Sequence, residues 1–215
     1  MKLLPLPCAL NASLALLLAG CAAAPSAPSS RLVKVDAVAR SAAAASAVSY
    51  VIRAKPGQED SLRYREVARL VRAALGGRGL YEAPGNIPPD LVIEIDFGMV
   101  PTGLKQETVV MPVYAQSASE IPEIIGYRAV VYPVAHHDKY LTIVAHIRDE
   151  NGDERRLAVA WRVQASIQDE AEDLRACLPI LAAAVMEQIA QDTQGTEEIT
   201  LGPGDPLVAF VRKAM

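Results

Sequence analysis

Glu94 and Asp96 stand two residues apart in a stretch, Leu91 to Phe97, where apolar and acidic residues alternate, so both carboxylates project from one face of a strand. Such a pair could serve as general acid and base, or offer oxygen ligands to a cation. A solvated sheet face has the same alternation, and that is the reading adopted here. The histidines are few: His136 and His137 adjoin Asp138 in a segment read as a turn, and His146 lies further on. Chain neighbours generally point apart, so His136, His137 and Asp138 are weak metal candidates, and neither a metal nor another cofactor is expected. Cys177 sits among Leu174, Leu178 and Leu181 at helical spacing, which predicts a buried thiol. The chain has no G-x-S-x-G elbow, no H-E-x-x-H, no glycine-rich phosphate loop and no paired C-x-x-C. Gly76-Gly77-Arg78-Gly79 follows a helical pattern and reads as its stop, not as a phosphate cradle. The expectation is a protein that is not an enzyme. A hydrolase built on Glu94, Asp96 or the His136 region is the lesser alternative.

The elements that would carry these groups follow from periodicity. A strand is expected over Ser46 to Arg53. Asp60 is the expected N-cap of a helix whose Tyr64, Val67, Leu70, Val71, Ala74 and Leu75 recur every three or four residues. After the strand at Leu91 to Phe97, the stretch from Pro101 to Gly126 reads as a long irregular excursion with an edge strand at Thr108 to Tyr114. It is the best candidate for gripping a partner. Strands are expected at Tyr127 to Val134 and Tyr140 to Arg148, the latter turning at Asp149 to Asp153 into a final strand. Matching the apolar faces predicts Ile143 opposite Val159 and Leu141 opposite Trp161. A second helix carries Leu174, Cys177, Leu178, Leu181, Val185 and Ile189, and kinks or begins at Pro179. A short strand at Glu198 to Leu201 and a brief helix from Asp205-Pro206 to Val211 complete the chain. The expected fold is α+β, a largely antiparallel sheet of about five to six strands with two main helices packed on one face.

The 215 residues carry 21 basic and 25 acidic side chains, with no dense basic stripe of the kind that neutralises phosphates, so nucleic-acid binding is not expected. At the start, Lys2 precedes about a dozen mostly apolar residues, too few to cross a hydrocarbon core that needs about 20. This run closes on Leu18-Ala19-Gly20-Cys21, which resembles the lipobox of bacterial lipoproteins. The resemblance implies a removable signal peptide at residues 1–20 and a lipid-modified Cys21 as the first residue of the mature chain. It implies three acyl chains, and at about 0.8 kcal/mol per buried methylene these suffice for lasting attachment. Ala22 stands where enterobacterial lipoproteins kept at the inner membrane resemble one another in having aspartate, so the resemblance implies an outer-membrane, periplasm-facing address.

Residues 21–45, rich in Ala, Ser and Pro, read as a flexible tether, and residues 46–215 as a single α+β domain. Leu62 to Leu80, Pro89-Asp90-Leu91-Val92-Ile93, Asp173-Leu174-Arg175 and Pro179-Ile180-Leu181 together resemble a group of small proteobacterial lipoproteins with an uncharacterised periplasmic domain. The functional expectation is a lipid-anchored cell-envelope protein that binds or scaffolds. The alternative is an accessory lipoprotein subunit of an envelope transport or assembly complex, with an envelope protein as partner.

Overall fold

The structure is a computed structural model, described for residues 30–40, 47–115, 123–148 and 157–214. Its elements run β1 (Arg31–Ala39), β2 (Ser49–Arg53), α1 (Leu62–Gly77), β3 (Tyr81–Glu82), β4 (Leu91–Tyr114), β5 (Ile124–Arg148), β6 (Leu157–Asp169), α2 (Leu178–Gln188), β7 (Glu197–Leu201) and α3 (Pro206–Arg212). The strands form one sheet in the order β3-β2-β4-β5-β6-β1-β7. The class is α+β as expected, but among the described residues the sheet has seven strands instead of five or six. It is also mixed: β2 runs parallel to both β3 and β4. Three helices accompany it among the described residues, the two main ones and the short one expected after Asp205.

One face of the sheet is buried. Val33, Val35 and Ala37 of β1, Leu91, Ile93 and Ile95 of β4, Leu141, Ile143 and Ala145 of β5, and Trp161, Val163, Ala165 and Ile167 of β6 all belong to one apolar cluster with the helices. In each strand these are alternate residues, as a half-covered sheet requires. Helix α1 presents Tyr64, Val67, Leu70, Val71, Ala74 and Leu75 to the core, as its spacing predicts. Its N-cap is Ser61, one residue beyond the expected Asp60, with Ser61 Oγ accepting from the Tyr64 amide at 3.3 Å. Helix α2 begins at Leu178 with Pro179 in its first turn, where a missing N–H costs nothing. It does not carry a single apolar stripe: every residue from Leu178 to Met186 is buried, so it is the centre of the core. Asp205 caps α3 as expected, accepting from the Leu207 amide at 2.9 Å.

The reading of residues 21–45 as a tether is corrected over Arg31–Ala39, which form β1 between β6 and β7. Val33, Val35 and Ala37 point inward, and Ala37 exchanges hydrogen bonds with Thr193. The averaged Ala/Ser/Pro composition hid a strand with a clean period of two. The β5–β6 register also differs from expectation: Ile143 pairs with Val163 and Leu141 with Ala165, with a shift between Ala145 and His146. Expected and observed registers share the same parity, so each brings the apolar faces together, and face matching alone could not choose between them. The proposed turn at Asp149 to Asp153 lies outside the described residues.

Candidate functional site

Strands β4 and β5 are 24 and 25 residues long, more than twice what the sheet can pair on their outer sides. On β4, β2 pairs only as far as Glu94; on β5, β6 pairs only from His137 onward. Beyond that, among the described residues, Gly103–Tyr114 and Ile124–His136 pair only with each other, as a two-stranded antiparallel ribbon projecting from one end of the sheet. At about 3.3 Å per residue the ribbon is roughly 40 Å long. The expected irregular excursion is therefore corrected to a regular hairpin. Val109, Val110, Val113, Val130, Val131, Tyr127 and Tyr132 are strand-forming residues, and Pro112 falls where both strands are edges, while Pro122 lies outside the described residues.

The two faces of the ribbon differ. A register shift between Pro101 and Gly103 inserts one residue in β4, while β5 runs without interruption from there out to Gly126, where a second shift leaves Ile125 unpaired. The alternate β5 residues that face the helices, Leu141 and Lys139 through His137, therefore continue outward as Ala135, Pro133, Val131, Ala129 and Tyr127. Opposite them stand Leu104, Gln106, Thr108, Val110 and Pro112. This face has no charge, and nothing among the described residues covers it: Leu104 is 71% exposed, Tyr127 69%, Val110 63% and Val131 54%. The other face carries Lys105, Glu107 and Arg128. Contiguous exposed apolar surface of this kind marks an interaction site.

The residues singled out by chemistry are placed as follows. Glu94 and Asp96 do share the open face of the sheet, but each has its own partner: Glu94 Oε2 lies 3.6 Å from His146 Nε2, and Asp96 Oδ1 lies 3.3 Å from Lys55 Nζ. By register they are about 20 Å or more along the strand from His136. His136, His137 and Asp138 form no turn; they lie within β5, at the root of the ribbon, and successive side chains point to opposite faces. His137 is buried, and its Nδ1 has no hydrogen-bond partner. His136 instead meets Glu107, with Nε2 3.4 Å from Oε1, and Glu170 completes a trio whose ligand atoms lie within 4.8 Å of one another. One imidazole and two carboxylates are a donor set suited to a divalent transition metal, with Glu170 exposed to solvent. The structure thus replaces His137 and Asp138 by Glu107 and Glu170 as the companions of His136.

Beneath the ribbon root lies a polar knot that the sequence analysis missed. Lys139 is wholly buried, in phase with Leu141 and Ile143, and donates to Asp169 Oδ2 at 3.2 Å and to the Asp173 carbonyl at 3.1 Å. Arg31 donates to the same Asp169 oxygen. The Cys177 thiol, buried as expected, closes the group at 3.0 Å from Arg31 Nη1 and 3.5 Å from Lys139 Nζ. The signal was present: Lys139 has the parity of the core residues of its strand. The knot fixes the end of the sheet from which the ribbon leaves.

No protein-family model matches the chain, and no curated protein matches its sequence. Among solved structures it is similar to a PDZ domain protein from Parabacteroides distasonis, at 12% identity and a TM-score of 0.44, over 81% of this chain and 40% of that one. It is also similar to PelC from Paraburkholderia phytofirmans, solved as a dodecamer, at 12% identity and a TM-score of 0.39, over 74% of this chain and 98% of that one. The chain thus spans well under half the length of the first of these. Likeness at this level assigns neither a family nor a function, and the functional reading rests on the ribbon.

Proposed function

We propose that this is a lipid-anchored cell-envelope protein, held at the periplasmic side of the outer membrane through Cys21, whose β4–β5 ribbon is the contact element of a binding or scaffolding domain. The observation that carries the reading is the charge-free ribbon face, exposed from Leu104 to Val110 and at Tyr127, and continuous with the face that the helices bury elsewhere. A single hairpin in water is marginal, so a ribbon this long and this apolar favours a surface that it meets in use. A non-enzymatic role is supported by the separation of the candidate catalytic groups: the Glu94–His146 and Asp96–Lys55 pairs stand far from His136 along the sheet. The anchor is tested by metabolic labelling with radioactive palmitate in a bacterial host. The intact chain is expected to take up label, and Cys21→Ser to take up none. Equal labelling of both, or of neither, overturns the anchored reading.

A further inference from the structure

The side from which the ribbon projects is also the side at which the chain enters the fold. Ser30 and Arg31 line the same cleft as Thr102 and Asp138. The register explains why: β1 starts beside the end of β6, Asp169 of β6 faces His137, and His137 faces Pro101 at the ribbon root. Only eight residues lie between Cys21 and Ser30, a reach of about 30 Å when fully extended. The ribbon itself extends roughly 40 Å from the same end. If Cys21 carries lipid, as the proposed function holds, the ribbon lies within reach of the bilayer surface.

We propose that the β4–β5 ribbon lies in the lipid–water interface, with its charge-free face on the acyl chains and its Lys105, Glu107 and Arg128 face toward water. The inference rests on the anchored reading above and names the surface that the ribbon meets. Two features of the ribbon set the depth. Both of its outer edges carry unpaired backbone groups, which hydrocarbon would leave unsatisfied and hydrated headgroups would not, so it lies in the interface and does not span. Pro112 on one edge and Pro133 on the other have no N–H to offer, which blunts edge-to-edge pairing with a second copy. Tyr127, on the charge-free face, has an apolar ring and a polar tip suited to that boundary.

The test uses the natively processed lipoprotein in vesicles of phosphatidylethanolamine and phosphatidylglycerol, with one thiol reporter introduced at Val110→Cys or Val109→Cys. These neighbours occupy opposite faces and are both exposed. Each is labelled with an environment-sensitive fluorophore and quenched by lipids brominated on the acyl chain. Quenching several-fold stronger at position 110 than at 109 is the expected result. Equal quenching at the two positions, or none at either, overturns the proposal. A blue-shifted reporter at 110 that brominated lipid does not quench also overturns it, since a protein surface, such as a second copy, would then cover the face. The unsubstituted chain separates the two readings: with Cys21 acylated and Cys177 buried it should take no label. Labelling at Cys21 defeats the anchored reading, whereas the bromolipid contrast still decides the contact of the ribbon.

Discussion

Asp169 holds two cations at once. Its Oδ2 accepts from the buried Lys139 and from Arg31, and both donors also approach Cys177. Removing one partner of a buried ion pair costs about 3–5 kcal/mol, because the charge left behind has lost its compensation. Asp169→Ala is therefore expected to destabilise the domain by about that much in urea unfolding, and Lys139→Met by less, since the Arg31–Asp169 pair survives it. Asp90 offers the pH-dependent counterpart. Hydrogen bonds from the Ser49 amide and hydroxyl, and from the Val48 amide, hold its carboxyl below the ordinary value of 3.8. The unfolded chain then binds a proton at a pH where the folded chain still excludes it. Stability from this group is complete above pH 3.8 and is lost as pH falls toward the lower folded value. The urea midpoint of the intact protein is expected to fall between pH 5 and pH 3 by more than that of Asp90→Ala.

At the scale of elements, what could be read in advance was what local pattern determines. Helix α1, the Leu91–Phe97 portion of β4, β7 and the cap of α3 all follow from spacing and from side-chain chemistry within a few residues. Three things were not local. β1 has a period of two of its own, but the strands that give it a place in the sheet, β6 and β7, come more than a hundred residues later. Parallel pairing of β2 with β4 leaves no mark on either strand alone. The ribbon was misread because proline ordinarily ends a strand, whereas a two-stranded hairpin consists only of edges and tolerates it. The candidate site was half legible: the segment that projects was recognised as the likeliest to meet a partner by its exclusion from the core pattern, but its regularity and its two unlike faces depend on a register that no single strand encodes. Gly98 shows the same dependence. A Cβ there would stand 2.9 Å from the Tyr140 hydroxyl of the neighbouring strand, so its smallness serves a ring 42 residues away.

For the whole molecule, the core and the ribbon are separable. No described residue between 104 and 135 belongs to the apolar cluster, whose β4 and β5 members all lie at 91–95 and 141–145. Replacing residues 104–135 with a two-residue Asn-Gly turn is therefore expected to leave a folded domain, with a chemical-unfolding free energy within about 1 kcal/mol of the parent, since surface changes remote from the core cost little. Near-native circular dichroism with a cooperative transition is the expected outcome. A molten chain would show instead that the ribbon holds the sheet together.

The placement of β1 has a mechanical meaning. Its first residue is where any tension on the N-terminal segment enters the fold, and the strand is hydrogen-bonded along both sides, to β6 and to β7. Antiparallel hydrogen bonds lie across the strand direction. A pull along β1 therefore shears both rows together instead of unzipping them pair by pair, and the fold meets such a load with the arrangement that resists it best.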